Sequence, residues 1–163
     1  MKNLKKMDKK FIVITVILSI LIVVGFTFFV SKPTIQSKNM TYQISDKEKP
    51  KVFTKTVMAD LGQMKVSDQK NYDFVITNKG EKPLQLSKIS TSCGCTVAQI
   101  IIDNKISPEF GMHSTSEYIA EVEPGKKATI RAIYRPYIMP VSGYVEREIY
   151  IQTNDPMAPK LTL

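Results

Sequence analysis

Three patterns of apolar and polar positions follow one another along the chain. Residues Phe11 to Val30 read FIVITVILSILIVVGFTFFV, 20 positions without a charge, Pro, Asn or Gln. At 1.5 Å per residue such a helix is about 30 Å long, the thickness of a bilayer's hydrocarbon core. Ile, Val and Phe favour strands in water, but lipid leaves the backbone no solvent to bond and imposes a helix. A cleaved signal peptide has an apolar core of about 7–15 residues and a small-residue cleavage site. This run is longer and leads through Phe28-Phe29-Val30 into Ser31-Lys32 with no A-x-A pattern. The expectation is an uncleaved anchor.

Residues 31–51 form the second pattern. They are rich in Ser, Lys, Thr, Gln and Asp, carry Pro33 and Pro50, and lack a sustained apolar period. Such a stretch predicts a flexible tether. Asn39-Met40-Thr41 fits the N-glycosylation triplet, a short motif that matters only in a host that glycosylates.

Short alternating runs between turn residues make up the third. Tyr72, Phe74 and Ile76 alternate with Asp73, Val75 and Thr77 and end at Asn78-Lys79-Gly80. In Pro83 to Ser90 the apolar phase shifts between Leu86 and Ile89, which predicts a bulge or bend. Thr96 to Ile102 reads as a further strand. Glu123-Pro124-Gly125-Lys126 is a turn with a strand, Ala128 to Tyr134, behind it. Gly143 to Thr153 reads as the longest strand, with Val145, Ile149 and Ile151 on one face. Asn154-Asp155-Pro156 closes it, and Leu161 to Leu163 begins one more. Strands at this spacing with no amphipathic helix predict an all-β, immunoglobulin-like β-sandwich of about seven strands behind one transmembrane helix. The organisation is then a basic cytoplasmic tail over 1–10, an anchor over 11–30, a linker over 31–51 and a domain over 52–163.

Charge refines this picture. The formal net charge is +8, but from Lys51 onward 14 Lys and Arg face 12 Asp and Glu. The basic excess lies in the first 50 residues, with 9 Lys against 3 acids, so it describes the membrane-proximal part and not a nucleic-acid-binding face. Lys2, Lys5, Lys6, Lys9 and Lys10 precede the apolar run, and only Lys32 and Lys38 follow within fifteen residues. The positive-inside rule keeps the N-terminus in the cytoplasm and puts everything after Ser31 outside it, in a periplasm or on the cell surface.

A set of short blocks stands in order along the chain: Asp60-Leu61-Gly62, Asp73 to Gly80 (DFVITNKG), Pro83-Leu84, Thr91 to Thr96 (TSCGCT), Glu123-Pro124-Gly125 and Thr153 to Pro156 (TNDP). Together they resemble the bacterial DUF1573 family, over roughly Val57 to Leu163. The resemblance implies an immunoglobulin-like fold akin to the ASPM/SPD-2/Hydin and major-sperm-protein sandwiches, and a place at the cell envelope. It implies no reaction. The stretch from Ile101 to Val122 is longer than the family's usual link between the SCGCT and PG blocks, and the last strand is expected to be short.

The candidate chemistry centres on Cys93-Gly94-Cys95. In an extended segment residues two apart face the same way, so both sulfurs can meet at one point. Three readings stand. One is a disulfide: Cα atoms two apart on a strand are about 6.5 Å from each other, near the upper limit for a bridge, and Gly94 can bend to shorten this. So tight a ring would be strained and readily exchanged, and an oxidising compartment permits it. The second is a soft-metal site for copper, in which Met112 and His113, the chain's one histidine, complete a set with Cys93 and Cys95. Met58, Met64, Met139 and Met157 are further thioethers. The third is packing, since cysteine is among the most buried residue types.

Elsewhere Glu121, Glu123, Glu146 and Glu148 read as a solvated sheet face, with Arg131 and Arg147 as cross-strand partners. Tyr134-Arg135-Pro136-Tyr137-Ile138-Met139-Pro140 is either a crossing at a sheet edge or an exposed contact patch. No phosphate-binding loop, dinucleotide fingerprint, nucleophile elbow or HExxH motif occurs. A Cys93 or Cys95 nucleophile with His113 has no supporting local signature. The functional expectation is a non-enzymatic, membrane-anchored protein-binding or scaffolding module with an envelope protein as partner. The alternative is a copper-binding or thiol-redox protein.

Overall fold

The computed structural model describes residues 13–21 and 39–163. The chain divides into two compact units, Met1–Ser37 and Lys38–Leu163. In the first, residues 13–21 are helical. Among the described residues no helix is long and apolar enough to cross a membrane. The remainder of the predicted span, 11–12 and 22–30, lies outside the described residues, as does the basic tail.

The second unit is built of strands, nine of them among the described residues. They are β1 (Val52–Thr54), β2 (Lys70–Asn78), β3 (Leu84–Thr91), β4 (Thr96–Ile102), β5 (Lys105–Ile106), β6 (Ile119–Val122), β7 (Lys127–Tyr134), β8 (Ile149–Thr153) and β9 (Lys160–Thr162). All pairings are antiparallel, in a five-stranded sheet of order β1-β2-β7-β4-β5 and a four-stranded sheet of order β6-β3-β8-β9.

Alternation sets which side chains meet between the sheets. On β2, Phe74 and Ile76 are buried, and Phe74 lies opposite Ile130 of β7 while Ile76 lies opposite Ala128. Ile100 of β4 flanks Ile130 from the other side. The second sheet answers with Leu84, Leu86 and Ile89 of β3, Val122 of β6 and Ile151 of β8, all in one core cluster with the first set. Each such aliphatic side chain contributes about 1.5–3 kcal/mol when fully buried. The β3 phase shift is a bulge between Ser87 and Ser90, with Lys88 at φ 47°. It returns Ile89 to the core after Leu86, so hydrophobic burial decides the irregularity. The turn before β7 has Gly125 at φ 74°, a left-handed conformation that glycine adopts without cost.

Four expectations need correction. The predicted strand over Gly143–Thr153 is a strand only from Ile149. Its partner β3 ends at Thr91, where the chain turns into the Cys-Gly-Cys segment, so residues before Glu148 have no ladder to join. The longest strand is β2, with nine residues. Strands β1, β5 and β6 were not legible in the sequence, because each is two to four residues at a sheet edge and too short to show a period. Finally, residues 39–51 of the predicted tether are bonded to the domain. Met40 N donates to Gln85 Oε1 at 2.8 Å, Lys79 N to Lys51 O at 2.7 Å and Glu81 N to Lys49 O at 3.0 Å, and Pro50 is fully buried. Polar composition resembles that of a free linker, but these backbone groups have partners that only the tertiary structure supplies.

Candidate functional site around the Cys-Gly-Cys turn

The Cys-Gly-Cys segment joins β3 to β4 and so crosses from one sheet to the other. Thr91, the last residue of β3, is buried and shares its hydroxyl proton between the carbonyls of Cys93 (3.0 Å) and Thr96 (2.9 Å). Thr96 N donates back to Cys93 O at 3.1 Å, which closes the turn. Two neighbouring segments hold it from outside. Arg135 N donates to Cys95 O at 2.8 Å, and Ser92 and Glu148 exchange bonds, Ser92 N to Glu148 O and Glu148 N to Ser92 Oγ, each 2.9 Å. The Thr-Ser-Cys-Gly-Cys-Thr block is therefore a compact turn in which the Thr91 hydroxyl, the Ser92 hydroxyl and the Thr96 amide bond to the backbone.

Within it Cys93 and Cys95 are joined by a disulfide, with Cα atoms 5.3 Å apart. The bridge is asymmetric in its surroundings. Cys95 is fully buried and Cys93 is 6% exposed. Arg147 Nε donates to Cys95 Sγ at 3.2 Å, and Thr96 Oγ1 lies 3.9 Å from the same sulfur. Cys93 Sγ accepts from Cys95 N at 3.1 Å and lies 3.5 Å from Met139 Sδ. At Gly94 a side chain would meet nothing within 4 Å.

Met139 and Arg147 both come from the long connection between β7 and β8. It begins with a single 3-10 turn over Pro136–Ile138. Tyr137, Ile138, Met139, Val141 and Tyr144 are about half exposed or more, with Tyr144 at 89%. The Pro-bounded segment is a crossing, from β7 of one sheet towards β8 of the other, and its side chains are exposed. The foot of the connection is tied down by Arg135. Its guanidinium forks onto Glu109 at 2.7 and 2.9 Å and reaches Gln69 at 3.0 Å. Bonding to Arg135 holds the Glu109 carboxyl below the usual glutamate range, against a smaller opposing effect of burial.

The structure does not link Met112 and His113 to this site. They occupy a turn in which Ser114 N donates to Gly111 O at 3.2 Å and Gly111 N to Ser114 Oγ at 2.8 Å. Among the described residues no group of three or more His, Cys, Asp or Glu comes together to hold a metal ion. The thioether beside the bridge is that of Met139. The expected pairing of Arg131 and Arg147 with the glutamates also needs correction. Arg131 grips Asp73 across β2 and β7 with two bonds of 2.8 Å, and this bonding lowers the Asp73 pKa. Arg147 divides its guanidinium between Cys95 Sγ and the Glu146 carbonyl, to which Nη1 donates at 2.7 Å. No local signal in the sequence marks it, because its role arises from the chain crossing beside Cys95.

Fold and site define an antiparallel two-sheet β domain with a bridged Cys-Gly-Cys turn between the sheets. Within that class the chain belongs to the DUF1573 family, described as a protein of unknown function, whose model matches residues 51–163. No curated protein matches the chain. A crystal structure of a protein of unknown function from Porphyromonas gingivalis W83 is similar in fold, with a TM-score of 0.55 and 19% identity over 80% of this chain and 49% of that one. The chain thus spans about half the length of that protein, and the likeness concerns the fold alone.

Proposed function

We propose that this chain is a protein-binding module displayed outside the cytoplasm, an immunoglobulin-like sandwich carried on a membrane helix over residues 11–30. It engages an envelope protein through the connection between β7 and β8. One observation carries the reading: five large apolar side chains, Tyr137, Ile138, Met139, Val141 and Tyr144, stand exposed within eight residues of one connection. Isolated exposed apolar residues are ordinary, but a run of Tyr, Ile and Met has the composition of a binding patch core. The apolar run and the excess of Lys before it support the anchor and its orientation.

The copper reading requires both thiolates free, because a bonded sulfur is no thiolate ligand. It also requires Met112 and His113 to reach the sulfurs. Its support is the soft character of the residues alone.

A photo-crosslinking residue at Tyr144 in the full chain, expressed in its own envelope, tests the proposal. The expected result is one discrete protein adduct that is lost with Ile138→Ser and is absent when the probe replaces Val75 on the outer face of β2. Adducts to lipid and to the chain itself alone, or the same adducts from both positions, would overturn it.

A further inference from the structure

We propose that the Cys93–Cys95 bridge is a polarised thiol-exchange site, in which a cysteine thiolate of the docked partner attacks Cys93 and Cys95 departs as the thiolate. This rests on the reading of the β7–β8 connection as the docking surface. The step is R–S⁻ plus the bridge giving R–S–S–Cys93 and Cys95–S⁻. One sulfur–sulfur bond breaks, one forms, and no external oxidant is consumed. A second thiol of the partner then releases Cys93, so that the partner's dithiol is oxidised and the bridge reduced.

Three features give the exchange its direction of attack. First, the leaving sulfur is the one beside a cation. Arg147 Nε is 3.2 Å from Cys95 Sγ, and no described ion pair includes Arg147. A guanidinium is a modest partner for a disulfide sulfur and a strong one for a thiolate, since charge-assisted bonds are roughly twice as strong as neutral ones. A cation beside the departing sulfur stabilises the thiolate that forms there and makes Cys95 the better leaving group. The backbone N–H of Cys95 on Cys93 Sγ, at 3.1 Å, is neutral and offers less. Second, access favours Cys93. Cys93 is the less buried residue of the pair, 6% exposed where Cys95 is fully buried. Third, the group over Cys93 Sγ is the Met139 side chain, unbranched and itself 49% exposed on the docking connection. A partner that packs on Tyr137, Ile138 and Tyr144 displaces Met139 by the same contact. Docking and exposure of the attacked sulfur are thereby one event.

The test uses the oxidised full chain in mild detergent, with reduced glutathione as the probe thiol. Intact-mass and peptide mapping after acid quench read which sulfur carries glutathione. The expected result is an adduct on Cys93 alone, formed roughly tenfold more slowly in Arg147→Gln and at an intermediate rate in Arg147→Lys. Circular dichroism confirms that each variant is folded. In cells, Cys95→Ser leaves the Cys93 thiolate free to attack the disulfide of the oxidised partner, the release step run in reverse, and the mixed disulfide so formed should persist for want of Cys95, while Cys93→Ser should trap none. A bridge inert to millimolar glutathione in the folded chain, equal adducts on both sulfurs, or a rate indifferent to Arg147 would overturn the proposal. The two readings separate cleanly. Exchange with glutathione at Cys93 without any protein adduct removes the docking reading and a protein substrate, leaving a small-thiol site. A Tyr144 cross-link with an unreactive bridge removes the exchange and leaves the docking.

Discussion

Replacing Asn78 with Ala should destabilise the domain by about 3 kcal/mol. The side chain is fully buried at the end of β2, and all four of its bonding positions are filled. Nδ2 donates to Lys82 O at 2.8 Å and to Val122 O at 2.9 Å, while Oδ1 accepts from Gly80 N at 2.9 Å and Lys51 N at 3.3 Å. One amide thus links the segment before β1, the turn after β2 and strand β6 of the other sheet. Removing a partner from a buried polar group costs about 1–3 kcal/mol. We assign about 1 kcal/mol to each carbonyl and about 1 kcal/mol to the two N–H groups together, because water can reach the partly exposed turn. For a domain of this size that is a fall in Tm of roughly 10 °C. The chain has no Trp, so far-UV circular dichroism of urea and thermal melts is the assay. Asn78→Asp supplies the internal control. It keeps the acceptor but turns a carboxylate oxygen toward two carbonyls, so at neutral pH it should cost at least as much as Ala. Its folded pKa is then raised, so the penalty eases as pH falls and the carboxyl takes up a proton. A loss under about 1 kcal/mol for Asn78→Ala would refute the assignment of a structural clasp.

Gly80 is required for space and not for an unusual φ, since a Cβ there would fall on Lys49 O, Lys51 N and the carbonyl carbon of Pro50. Gly80→Ala should cost more than about 1 kcal/mol and lower hydrogen-exchange protection at the Lys79 and Glu81 amides, which bond residues 49–51; unchanged protection would contradict this. The pair of Glu109 and Arg135 makes a pH-dependent contribution. Because the folded pKa of Glu109 is depressed, its stabilisation is present above the ordinary glutamate range and lost as pH falls through the folded value. The Tm difference between the unaltered chain and Glu109→Gln should therefore shrink on acidification below that range, and a difference independent of pH would show that the pair contributes nothing through ionisation.

Much of this architecture is carried by local pattern. Alternation at Tyr72, Phe74 and Ile76 defined β2, the phase change between Leu86 and Ile89 announced the β3 bulge, and Pro124-Gly125 marked the turn before β7. These signals are legible because side chains of a half-buried strand must alternate and a turn needs particular backbone angles, both of which are properties of a few consecutive residues. The Cys-Gly-Cys block was equally visible as a place where two sulfurs can converge. Which groups surround those sulfurs was not. Met112 and His113 follow Phe110, which pairs with Ala98 at the edge of β4, and in sequence they were the natural companions of the cysteines. The residues that stand there are Met139 and Arg147, 46 and 52 positions away from Cys93 and Cys95. Arg147 and the glutamates beside it read as a strand face, because period two continues through Gly143 to Thr153 whether or not a neighbouring strand exists to pair with it. Only the end of β3 at Thr91 decides that the ladder stops, and the freed segment then folds over the bridge. The sequence by itself determined the longer strands β2, β3, β4 and β7 and a turn where two sulfurs can meet, through short-range sterics and burial. The tertiary structure decided the partners of that chemistry, since contact between β3–β4 and β7–β8 depends on how two sheets stack.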